Sequence, residues 1–126
     1  MEQFDKRQAG QSLQQMLGFL MKLKIYHLTT HKYTRHLASD SLYSKLNDKI
    51  DKLFETWQAG SERLTLENNN VAINLKVLSD TSMNDLLLQF YNFLLGNSFQ
   101  NWPELLAIRD EMLSDVDQAL YLFSLN

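Results

Sequence analysis

The chain has 126 residues, a formal net charge of −3 and no cysteine. That length suits a single domain (1–126) with one core. The missing cysteines exclude disulfides and thiolate metal sites, and the acidic balance, with no basic block, argues against binding DNA. No apolar run is long enough to cross a bilayer, and the polar start "MEQFDKRQAGQ" lacks a signal-peptide core, so a cytoplasmic, non-membrane protein is expected.

The first helix is expected over about 12–31, where Leu13, Met16, Leu17, Leu20, Leu23 and Leu28 recur in steps of three and four, with His27 on the same stripe. The second is expected over 35–58, through Leu42, Leu46, Ile50, Leu53, Phe54 and Trp57, with Thr34 as its cap and "QAG" as its stop. The crossover, 59–81, reads differently. Leu64 and Leu66, then Val71, Ile73, Leu75 and Val77, alternate with polar residues around Asn68–Asn70, which favours a short β-hairpin or an extended connection over a short helix. The third helix, 82–96, carries Met83, Leu87, Phe90, Tyr91 and Leu94, with Ser82 and Asp85 at capping-box spacing and Gly96 and Asn97 ending it. Pro103 opens the fourth, 103–125, whose apolar face holds Leu106, Leu113, Val116, Leu120 and Phe123. Four helices with one long crossover between the second and third describe a mainly all-α, ferritin-like four-helix bundle.

The chemistry-bearing stretch is "YHLTTHKYTRHLASDSLY", residues 26–43, which holds all three histidines. On one unbroken helix His27 and His36 would lie about 13 Å apart on opposite faces. A chain reversal between Thr29 and Thr34 brings them to the same turn, while His31 falls outside. Asp51 and Glu55, spaced i,i+4, project from one helix face as metal ligation requires. His36 and Asp51 are nevertheless separated by about 22 Å of helical rise. A shared site therefore needs two chains, and a two-fold dimer with antiparallel second helices supplies two such sites. Nitrogen and carboxylate ligands without sulfur suit iron(II), manganese or zinc. The plain alternative makes the histidines helix-end hydrogen bonders and leaves Asp51 and Glu55 solvated among Lys45, Lys49 and Lys52.

"H36-(x14)-D51-(x3)-E55" resembles the ferroxidase signature of Dps-type miniferritins, and His27 resembles the histidine ending their first helix. That resemblance implies a ferritin-like subunit in a homo-oligomer, with iron(II) oxidised by peroxide at inter-subunit centres held by His27, His36, Asp51 and Glu55. The chain departs from it in a shorter loop between the histidines, in Leu28 where a tryptophan follows the first histidine, and in lacking a basic tail. A closer resemblance, over roughly residues 13–125, is to a family of small phage and giant-virus proteins with no assigned activity. It rests on His27, Thr30, Tyr33, His36 and Ala38, on Asp51 and Glu55, and on an "IRDE" block at Ile108–Glu111. It implies the host cytoplasm as location. Arg109, Asp110, Glu111 and Tyr33 are then candidates for contacts around the site or the interface. The competing reading is a non-catalytic viral interaction module in which the histidine cluster is structural.

Overall fold

The computed structural model describes residues 4–66 and 72–125, and every regular element among them is helical. The helices are α1 (Lys6–Thr29), α2 (Tyr33–Gly60), α3 (Asp80–Leu95) and α4 (Pro103–Phe123), with a single 3-10 turn, Phe99–Asn101, between the last two.

α1 begins six residues before the expected Ser12. Asp5 accepts hydrogen bonds from the backbone of Arg7 and Gln8, and the Gln8 side chain accepts from the Asp5 backbone, a complete capping box in an apparently featureless polar start. Its buried stripe runs through Ala9, Met16, Leu20, Leu23 and His27, while Leu17 and Leu28, expected to be buried, face out. α2 starts two residues early, and Thr34 is not its cap: Lys32 holds that position, with no side-chain cap bond. α3 is capped by Ser79, whose hydroxyl accepts from the Ser82 backbone, so the expected Ser82–Asp85 box lies inside the helix. Pro103 takes the first position of α4 as expected, and the helix stops at Phe123, two residues early.

α1 packs on α2, α2 on α4 and α4 on α3, with a thinner seam between α1 and α3. The C-terminal ends of α1 and α4 meet the N-terminal ends of α2 and α3 at one end of the bundle, through Tyr26, Phe123, Arg35 and Asp80. Packed neighbours are therefore antiparallel, and the 61–79 connection returns the chain along the length of the bundle. The described part of that connection forms no strand. Leu64 and Leu78 touch the core, but Leu66, Leu75 and Val77 are exposed, because no partner strand gives their alternation a face to bury. The expected Asn68–Asn70 turn and Val71 lie outside the described residues. None of the described helices is long and apolar enough to cross a membrane.

At the far end the edge of Phe4 meets Trp57 and Phe99, at centroid distances of 5.7 and 5.1 Å. Phe99 is held there by a left-handed turn in which Phe99, Gln100 and Asn101 all have positive φ. Gln100 ties the turn back by donating to the Phe4 carbonyl. Close by, the connection crosses α1 at Gly10: the Thr65 backbone donates to the Lys6 carbonyl, and a Cβ on Gly10 would stand 1.8 Å from the Thr65 oxygen.

Two glycines of α1 should therefore respond oppositely to alanine in urea unfolding. Gly10→Ala forces the connection off the helix and should cost about 1–3 kcal/mol. A Cβ on Gly18 meets no described atom within 4 Å, so Gly18→Ala should stabilise by about 0.5–1 kcal/mol.

Candidate functional site at the histidine end

The turn Thr30–Lys32 reverses the chain, as the spacing predicts, and sets His27 in the last turn of α1 against His36 in the first turn of α2. Their rings stack at a centroid distance of 4.1 Å and an 18° interplanar angle. The histidines also exchange hydrogen bonds: His27 Nδ1 lies 2.9 Å from the His36 carbonyl oxygen, and His36 Nδ1 lies 2.8 Å from that of His27. A carbonyl only accepts, so both Nδ1 atoms carry protons, and in the neutral rings both Nε2 atoms keep their lone pairs. Ser39 reinforces the arrangement: its hydroxyl lies 2.7 Å from the Arg35 carbonyl and 3.1 Å from that of His36, with one proton to share between them.

Asp40, which sequence reasoning passed over, has its carboxylate 3.8 Å from His27 Nε2. Its signal was present, one helical turn after His36. At about 100° per residue, Tyr33, Leu37, Asp40, Asp51 and Glu55 fall on one stripe of α2. All five are exposed, Tyr33 at 72%. Asp51 and Glu55 follow His36 on the same unbroken helix, so the chain does not bring them to its own histidines. Among the described residues, no three His, Asp or Glu side chains gather closely enough to hold one metal ion. His31 is exposed in the turn, and Tyr33 stacks beside His36 at 6.5 Å. Arg109 lies near the other end of the bundle, donating to the Asn97 carbonyl and to Asp110, while Asp110 and Glu111 are exposed.

Directly beneath the histidines is a polar network the sequence reading missed. Arg35 is only 4% exposed. It donates to the Tyr26 hydroxyl (2.8 Å) and the Asp80 carbonyl (3.3 Å), reaches the Phe123 carbonyl at 3.5 Å, and lies 4.5 Å over the Phe123 ring. The Tyr26 hydroxyl donates to the Asp80 carboxylate at 2.6 Å, and Lys32 pairs with that carboxylate from outside at 3.1 Å. The Tyr26 bond, with Lys32 and Arg35, holds the Asp80 carboxyl below its ordinary value against the opposing effect of burial. Burial and the Asp80 bond push the Tyr26 phenol up. The sequence signal was an arginine on the apolar stripe of Ala38, Leu42 and Leu46.

Residues 27–123 match a family of unknown function (DUF5856). The chain belongs to that family. The stretch it shares with DUF5856 runs from His27 to Phe123, and so includes both stacked histidines, the α2 acids, Arg35 and Asp80. No curated protein and no solved structure matches the chain.

Stability of this DUF5856 protein should have two pH limits set by the network. Asp80, with its folded value depressed, stabilises above the ordinary carboxylate range, and that contribution is lost as pH falls through the lower folded value; Asp80→Asn should flatten this acid limb in pH-dependent unfolding. Tyr26, with its folded value raised, stabilises below the ordinary phenol range and ceases to do so as pH rises through the higher folded value. Tyr26→Phe should abolish that alkaline limb and cost about 1–3 kcal/mol near neutrality by removing one acceptor from the buried guanidinium and one donor from Asp80.

Proposed function

We propose that this protein is a Dps-like, ferritin-fold subunit that pairs with a second copy through antiparallel α2 helices and takes iron(II) as substrate between them. His27 and His36 of one subunit, with Asp51 and Glu55 of the partner subunit, hold the metal; Asp40 adds a carboxylate on the histidine side. The observation that carries this reading is the pair of Nδ1 bonds to backbone carbonyls. Such bonds fix the tautomer and ring orientation of metal-ligating histidines and leave Nε2 as the ligand atom. The antiparallel packing and the long connection between α2 and α3 support the ferritin-like reading.

The exposed α2 stripe supports the dimer. Halfway between His36 and the Asp51–Glu55 pair stands the small, exposed Ser44, which lets two antiparallel helices approach closely at a two-fold axis. Exposed Leu17, Met21 and Leu28 of α1, with Tyr33 and Leu37 of α2, supply apolar surface beside that axis. Each iron(II) would give up one electron, so two iron(II) with two protons would reduce one hydrogen peroxide to two waters, and the carboxylates would favour the iron(III) product. The same donors suit manganese or zinc, of which zinc would bring no redox chemistry.

One observation favours a second reading. The reciprocal hydrogen bonds satisfy both histidines within the chain, and His27 is 8% exposed, so the pair already serves as a clasp between α1 and α2. In that case the protein is a non-catalytic interaction module.

Titrating purified protein with iron(II) in air and with peroxide separates the two. The ferroxidase reading expects oxidation well above the buffer rate, slowed about tenfold or more in His36→Ala and in Asp51→Asn/Glu55→Gln. It also expects a molar mass in light scattering of at least twice the 14.8 kDa of one chain. Oxidation no faster than buffer, together with negligible metal on the purified protein, leaves only the interaction module.

A further inference from the structure

Pairing two copies through α2, the reading on which this inference rests, sets acid against acid. With the two-fold axis at Ser44, residues equally far before and after it stand level on the two helices. Asp40 then faces Asp48 of the partner subunit and lies about one turn from Asp51 of the partner subunit. Asp51 and Glu55 of the partner subunit come level with Leu37 and Tyr33. Asp40, Asp48, Asp51 and Glu55 are all exposed and, at about 100° per residue, lie within ~40° of Ser44 round the helix. No lysine or arginine shares that stripe. Lys45 and Lys49 turn to α4, where they bond Gln118 and Asp115; Lys24 lies over the Tyr43 ring, and Lys52 stands ~80° away. Among the described residues Asp48, Asp51 and Glu55 have no ion-pair partner. The residues outside that set carry no lysine, arginine or histidine. Two such faces repel, and closing them strips water from carboxylates against a leucine and a tyrosine.

His27 supplies the independent observation. It is 8% exposed, and its Nδ1 proton is committed to the His36 carbonyl, so in the neutral ring Nε2 presents a lone pair. Facing that lone pair at 3.8 Å is the Asp40 carboxylate, another acceptor. The gap is too long for a hydrogen bond but suits one metal ion about 2.1 Å from each atom. A single chain thus offers a metal two ligands and leaves the rest of its coordination open. Asp51 and Glu55 of the partner subunit are the groups that fill it.

We infer that assembly is metal-gated: the metal-free chain stays single, and a transition-metal ion seated between His27 and Asp40 closes the dimer. The partner's carboxylates complete the coordination as their charge is neutralised, so metal binding and pairing strengthen each other. The histidine nitrogen makes the gate selective, because magnesium keeps to oxygen ligands and zinc or iron(II) accepts imidazole.

Light scattering and sedimentation equilibrium of the full chain in chelator, in zinc and in magnesium test this. Zinc is redox-silent, so the outcome does not depend on iron oxidation. The expected mass is 14.8 kDa in chelator and in magnesium, and at least twice that in zinc. Asp51→Asn/Glu55→Gln, both on exposed positions, should stay single in zinc with an unchanged unfolding midpoint. Asp48→Asn removes charge from the face but no ligand, and should tighten the zinc-loaded dimer about tenfold. The gate is overturned by two chains in chelator, a result that leaves the iron(II) reading standing with a permanent dimer. A single chain in zinc and in iron(II) alike overturns both the gate and the inter-subunit site. Magnesium acting as well as zinc, or an Asp48→Asn dimer no tighter than the wild type, also overturns the proposal.

Discussion

Burying one guanidinium is the constraint around which the histidine end is organised. Arg35 lies where all four helices converge, and a cation in that position is tolerated only if its donors are met. Each partner comes from a different helix: the Tyr26 hydroxyl from α1, the Asp80 carbonyl from α3, the Phe123 carbonyl and ring from α4. Helix dipoles assist, because the cation lies at the carbonyl ends of α1 and α4 while Asp80 lies in the first turn of α3. Arg35 Nε finds no hydrogen-bond partner among the described residues, so the cage is not complete. What Arg35 fixes is the separation between the end of α1 and the start of α2. That separation lets a turn as short as Thr30–Lys32 stack His27 on His36.

The opposite end is held by other means. Phe4, Trp57 and Phe99 interlock by their edges, and the left-handed turn at Phe99–Asn101 accepts backbone strain to bury a phenylalanine. Between the ends, α2 and α4 are bound along their length by apolar packing and by the half-buried Lys49–Asp115 pair. The seam between α1 and α3 is the thinnest of the four.

Helix period made the four helices legible, and helix rise made the histidine geometry legible, because both follow from one repeating dihedral pair. What escaped was set by single side chains. Asp5 and Gln8 extend α1 through a polar segment whose apolar periodicity says nothing. Leu66, Leu75 and Val77 alternate as a strand would, yet alternation matters only when a second strand turns it into a buried face. Arg35 was hidden by type: on the stripe of Ala38, Leu42 and Leu46 it reads as an interruption, whereas its burial depends on Tyr26, Asp80 and Phe123, remote in sequence. Asp40 was masked by Asp51 and Glu55, whose i,i+4 spacing is the more familiar ligand pattern.

The histidine clasp and the proposed metal site do not compete for the same atoms. Clasping uses Nδ1 and a carbonyl of each residue, and ligation needs Nε2. The clasp is therefore what would make the pair competent: it fixes ring orientation and tautomer before any metal arrives, so the cost of ordering is already met by folding. The exposed stripe of α2 behaves the same way. Its acids are useless to the histidines of their own chain because the helix is unbroken, and in the proposed dimer that same continuity would hold them at a fixed distance from the histidines of a second copy. Every residue in this arrangement lies within His27–Phe123, the stretch that matches the family.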